Sequence, residues 1–291
     1  MTRTLRALNS PNWRVYDARA GRDLGFADLL RRLADDSDVV FVGEEHDDPE
    51  THRAELFLLQ GLHEQPRWGN RLTLALEMFE RDGQRALDDY LAGRITEQTL
   101  GKAVRLWPNY ATDYRPLVEY ARSRRLPVVG SNAPQRIARD VSRQGASATL
   151  AKLPDGDKAF VAVSSSAPDD AYFARFRAII GEGHGGPALD AAAVRRFYEA
   201  QTLKDDTMAE SVVRLLEASR KVLHINGAFH SDAGLGVPVR VLWRRPLGTR
   251  LAVLKIVPVR GDIKRADAGK LRSEADFLLF VPDRRAAAAK S

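Results

Sequence analysis

Val39-Val40-Phe41-Val42-Gly43-Glu44-Glu45-His46 runs from four large apolar residues straight into a glycine, two carboxylates and a histidine. An apolar run without alternation reads as a strand buried on both faces, as strands of parallel sheets are. Glycine lets the chain turn sharply on leaving such a strand. The same grammar returns at Val222-Leu223-His224-Ile225-Asn226-Gly227-Ala228-Phe229-His230, and a third apolar run, Leu72-Thr73-Leu74-Ala75-Leu76, ends in Glu77. Polar groups just past the carboxyl ends of parallel strands lie where open α/β sheets bind ligands. Two Gly-x-x-His motifs and Glu77 are therefore expected to meet from distant parts of the chain.

Outward from these runs, strands and helices alternate. Phe26 to Leu33 and Pro49 to Glu64 follow helical periodicity, as do Gln84–Leu91, Thr96–Val104 and Tyr114–Arg125. Thr96 could cap its helix, although Thr99 stands where a capping box wants Glu or Gln. A strand is expected at Leu126–Gly130, then a helix at Gln135–Val141. Ala191–Ser219 reads as a long helix, and further strands are expected at 221–226, 251–257 and 276–281. This predicts one α/β domain over 1–291, with a mostly parallel central sheet flanked by helices. Helical insertions near 81–120 and 145–190 are expected to cap the carboxyl ends of the strands.

Composition narrows the class. The chain has 291 residues, 44% of them apolar, a net charge of +6 and no cysteine. Thiolate metal sites and cysteine nucleophiles are excluded. The positive charge is spread as short Arg pairs without a nucleic-acid-binding motif, so no nucleic-acid partner is expected. No apolar run reaches about 18 residues, so no transmembrane segment is expected. Met1–Ser10 has no apolar leader core, so the sequence as written reads as cytoplasmic. If a leader has been removed, a periplasmic protein or a lipoprotein is the alternative, with membrane association through that lipidated leader alone.

Several side chains are candidates for chemistry. By period two, Glu44 shares a side with His46, while Glu45 points away. Glu77 follows an apolar strand, where a carboxylate needs a partner. Gln201 and Asp205 share a helical face; a surface hydrogen bond and a buried network both fit their spacing. His224 reads as a satisfied core histidine, and His52 and His63 as residues of a solvated helix face. His184 lies in Gly181-Glu182-Gly183-His184-Gly185-Gly186, a glycine-rich loop able to carry it to a ligand.

Taken in order, Val39-to-Asp47, Leu76-Glu77-Met78-Phe79, Tyr114-Arg115-Pro116-Leu117, Ala200-Gln201 with Asp205 and Met208-Ala209, and Asn226-to-His230 resemble the ChaN-like haem-binding uptake family. That family belongs to a wider group with Tiki- and TraB-like proteins and erythromycin-esterase-like enzymes. The resemblance spans about Trp13 to Phe280. It implies an α/β fold and haem or iron handling, with ferric haem ligated by tyrosine, a histidine nearby, and a homodimer holding haems face to face. Tyr114 lies in the best-matching block and is the first choice of ligand, followed by Tyr110 and Tyr172. His46, His184 and His230 are further candidate contacts. The type member is a lipoprotein, whereas this chain has no lipobox cysteine. The expected function is thus haem binding rather than enzymatic turnover. The alternative is a metal-dependent hydrolase, protease or esterase, in which His46, Glu77 and His230 hold a divalent metal with an open position for water. Glu44 would then act as general base.

Overall fold

A computed structural model describes residues 12–182 and 190–285. Its centre is one sheet of β1 (Arg14–Asp17), β2 (Arg22–Leu24), β3 (Val39–Glu44), β4 (Leu72–Glu80), β5 (Val128–Asn132), β6 (Lys221–Gly227), β7 (Leu251–Val259) and β8 (Phe277–Pro282). The spatial order is β2-β1-β8-β7-β3-β6-β4-β5. Every neighbouring pair from β8 to β5 is parallel; β1 joins antiparallel to β8 and β2, forming a hairpin at one edge. The expected mostly parallel α/β sheet is what the chain builds. β2, three residues with no apolar run, carried no strand signal of its own.

The helices are α1 (Phe26–Asp36), α2 (Pro49–His63), α3 (Gln84–Leu91), α4 (Glu97–Ala103), α5 (Arg115–Arg124), α6 (Gln135–Gln144), α7 (Ala146–Ala151), α8 (Asp155–Lys158), α9 (Ala171–Glu182), α10 (Ala191–Glu217) and α11 (Val237–Arg244). They cover both faces of the sheet, and strand parity decides which face each side chain meets. Val40 and Val42 of β3 join Leu72, Leu74 and Leu76 of β4 in a large core under α1, α2 and α5. Val39, Phe41 and Ala75 point the other way, into a core with Met208 and Val212 of α10 and Val241 of α11.

Local signals explain the boundaries. Asp48 caps α2, accepting from the Thr51 amide at 2.9 Å, with Pro49 in the first turn. Thr96 does cap α4, its Oγ1 accepting from the Thr99 amide at 3.2 Å. β5 begins two residues later than the sequence suggests. Arg125 takes a left-handed conformation at φ 54°, and the Leu126 amide bonds back to the Ala121 carbonyl. That is a Schellman closure of α5, so the chain extends only afterwards. Between α4 and α5 lies a single π-helical turn, Tyr110–Tyr114, closed by the Arg115 amide on the Tyr110 carbonyl.

β4 changes register against β5 between Leu76 and Glu80. Gly130 makes this irregularity possible: a Cβ there would lie 2.8 Å from the Glu80 carbonyl oxygen and 3.1 Å from the Phe79 Cβ. Because the obstruction includes backbone, Gly130→Ala is expected to cost about 1–3 kcal/mol in overpacking, read as a lowered urea midpoint with unchanged slope.

Candidate functional site

Parity sends the two strand-end carboxylates to opposite faces of the sheet. Glu44 follows Val40 and Val42 toward α2; Glu77 follows Thr73 and Ala75 toward α10. Each meets a histidine, and the two arrangements differ in electrostatics.

On the α10 side, Glu77 Oε2 accepts from the Gly227 amide at 2.8 Å, and its Oε1 lies 3.3 Å from His230 Nε2. His230 Nδ1 is 2.5 Å from Asp205 Oδ1, and Tyr172 donates to Asp205 Oδ2 at 2.8 Å. Gln201 Nε2 reaches the Tyr172 hydroxyl at 3.2 Å. His230 is thus a buried imidazole between two carboxylates. Burial opposes its charge, yet Glu77 and Asp205 raise its pKa to about 10. Burial alone would raise Glu77, but the His230 cation holds it well below the usual carboxylate range.

On the α2 side, Glu44 Oε1 lies 2.5 Å from His46 Nδ1 and accepts from the Tyr114 hydroxyl at 2.7 Å. The Glu44 side chain has no exposed surface, while 43% of that of His46 is exposed. Burial and the neighbouring Glu55 push Glu44 well above the usual carboxylate range, against the pull of His46. For His46, burial works against the charge, but Glu44 and Glu77 outweigh it and raise the pKa. His52 is 3% exposed: its Nε2 lies 3.1 Å from the His46 carbonyl oxygen and its Nδ1 3.2 Å from Glu55 Oε2. Asn109 donates to the same carbonyl at 2.8 Å and to Asp113 at 2.8 Å.

The two halves touch at Gly227. A Cβ there would fall 2.6 Å from His46 Nε2 and 3.7 Å from Glu77 Oε2. Glycine therefore lets the imidazole tip reach the strand ends. His46 also borders a cleft of about 760 Å³, lined by Pro49, His52, Arg53, Leu56, Pro108 and Pro116 among others, and Trp107 stands edge-on to its ring at 4.8 Å between centroids.

His46, Glu77 and His230 do gather at the strand ends, with Glu44 behind His46. The three tyrosines are all buried. Tyr114 donates to Glu44, and burial with the Glu44 and Glu55 carboxylates holds its phenol far above its ordinary value. Tyr110 packs edge-on to Phe79, and Tyr172 serves Asp205. His184 lies outside the described residues. Glu45 points away as expected, 3.8 Å from Arg285. His224 sits inside β6, bonded to Asn226 at 2.9 Å and Ser131 at 3.1 Å.

Two participants, His52 and Glu55, and one partnership, that of Asp205, were not anticipated from the sequence. His52, assigned to a solvated face, is buried, because Glu55 one turn later and the His46 carbonyl satisfy both ring nitrogens. His52 and Glu55 stand three apart on one helical face, a spacing that could have found them. The spacing puts Asp205 on the right stripe, but its partnership with His230 crosses 25 residues and leaves no local signal.

An α/β sheet whose two Gly-x-x-His turns converge over a cleft defines the class of the molecule. Within that class, the chain belongs to the haem-binding uptake family of the Tiki superfamily that includes ChaN, whose family model matches residues 29–241. The solved structure of ChaN from Campylobacter jejuni, described by its cofacial haem binding, is similar with a TM-score of 0.67 at 16% identity, covering 92% of this chain and 96% of that one. A Bacillus cereus protein is similar with a TM-score of 0.52 at 11% identity, covering 88% and 91% respectively. Protein RETICULATA-RELATED 5, chloroplastic, of Arabidopsis thaliana is 25% identical over 288 residues; the match covers 92% of this chain and 38% of that protein, so the chain spans under half of its length. No helix among the described residues is long and apolar enough to cross a membrane.

The His230 pair gives a pH signature. His230 binds its proton more tightly folded than unfolded, so its contribution is complete below about pH 6.5 and is lost as pH rises toward about 10. Urea unfolding between pH 6 and 10 should show stability falling over that window, and His230→Ala should flatten the fall. Glu77→Gln, which leaves a buried cation short of one partner, should cost about 3 kcal/mol at pH 6.

Proposed function

We propose that this protein binds haem in haem or iron handling, with the iron meeting His46 at the cleft. The observation that carries this reading is the state of His46. Its Nδ1 is held by buried Glu44 at 2.5 Å while its ring is exposed on a cleft of about 760 Å³. A metal-binding histidine characteristically gives its other nitrogen to a carboxylate, which fixes the ring and raises its basicity. The cleft is in the size range of small-molecule sites. Pro49, Leu56, Pro108 and Pro116 supply apolar walls, and Arg53 suits a propionate. Haem, if bound there, would supply an iron for the His46 imidazole to ligate.

In this reading Tyr114 keeps Glu44 in place, since a phenolate beside two carboxylates is costly. Family membership supports haem as the cargo. Cofacial binding would need a second copy, so a homodimer belongs to the same proposal.

A ferric haem titration followed by absorbance tests it. Wild type should show a saturable Soret shift, His46→Ala should weaken binding at least about tenfold, and Tyr114→Phe should retain it. A phenolate charge-transfer band that disappears in Tyr114→Phe would move the iron to the tyrosine. Absence of saturable binding would overturn the haem reading. Sedimentation with and without haem reads the dimer.

The hydrolase reading draws support from the convergence of His46, Glu77 and His230 around Gly227. It stands second because both nitrogens of His230 already face carboxylates, Nδ1 at 2.5 Å from Asp205 and Nε2 at 3.3 Å from Glu77.

A further inference from the structure

Behind His46, on the α2 face of the sheet, three side chains of metal-ligand type converge. Atoms of Glu44, His52 and Glu55 lie within 4.8 Å of one another, and all three residues are buried. His52 Nδ1 is 3.6 Å from Glu44 Oε2 and 3.2 Å from Glu55 Oε2. Its other nitrogen faces the His46 carbonyl at 3.1 Å. A carbonyl only accepts, so Nε2 carries a hydrogen, and Nδ1 is the ring atom turned toward the two carboxyl groups. Glu44 Oε2 and Glu55 Oε1 are buried and receive no hydrogen bond from any described residue. Two carboxyl groups and an imidazole buried this closely need a proton or a cation shared among them.

We propose that Glu44, His52 and Glu55 form a binding site for one divalent transition-metal cation. One imidazole with two carboxylates suits zinc or manganese better than calcium or magnesium, which prefer oxygen alone. Glu44 can serve the cation and His46 together, because Oε1 takes His46 and Tyr114 while Oε2 faces His52. His52 borders the same cleft as His46, which gives an ion its way in. Metal ligands must be deprotonated to bind, so affinity should climb with pH. This site does not depend on haem binding.

The test uses chelator-stripped full-length protein without haem and zinc chloride alone, titrated at pH 7.5 against a chromophoric chelator. Wild type should take one equivalent and gain in Tm. Glu55→Gln should weaken zinc more than about a hundredfold, since even outer partners of a metal are worth 10–100-fold. His230→Gln should bind as wild type does. Should Glu55→Gln fail to fold, His52→Gln carries the same comparison. X-ray absorption of the zinc form should report one imidazole among oxygen donors. No saturable zinc in wild type would mean that a proton joins these groups, and would overturn the proposal. Unchanged affinity in Glu55→Gln, or an absorption edge with two imidazoles, would place the ion with His46 and His230 and would equally overturn it. A separate haem titration of Glu55→Gln keeps the two readings apart.

Discussion

One carboxylate, Glu44, organises the strand ends. It leaves β3 with no exposed surface, and a buried carboxylate is tolerable only when its oxygens are satisfied. One oxygen takes the His46 imidazole and the Tyr114 hydroxyl, which ties the first Gly-x-x-His turn to the π-helical turn before α5. The other faces His52 and the helix that follows. Orientation of His46, burial of Tyr114 and the electrostatics of α2 all follow from where that group sits.

The contrast with Glu77 shows how environment assigns different roles to the same chemical group. Both carboxylates are buried at strand ends. Glu77 meets the cationic His230 and is held ionised; Glu44 meets a second carboxylate, Glu55, and is pushed toward its neutral form. The difference traces to parity in the strands. Glu77 faces α10, where Asp205 reinforces the histidine, and Glu44 faces α2, where Glu55 competes for protons. The half carrying His230 is a closed, satisfied network, which suits it to support. The half carrying His46 is open at the cleft, which suits it to contact a ligand.

Much of this architecture was legible in the chain. The apolar runs at Val39–Val42 and Val222–Ile225, the second broken only by His224, announced parallel strands, and the glycines after them announced turns. Register against neighbours was less legible. β5 begins at Val128 because Arg125 closes α5 in a left-handed turn, a choice that an arginine does not advertise as glycine would. The π-helical turn at Tyr110–Tyr114 also escaped, since its wider winding leaves no periodic signal over five residues.

At the site, the sequence by itself determined which groups arrive at the strand ends: His46, Glu77 and His230 follow from local grammar, because glycine after a buried strand has few conformational outcomes. What each group does there was decided by tertiary contact. Tyr114 becomes a donor to Glu44 across 70 residues, Asp205 the partner of His230, and His52 a buried ring rather than a surface one. Such pairings depend on which helix packs on which face of the sheet. Short-range pattern carries the period of an element, but a hydrogen bond between distant elements exists only once both are packed.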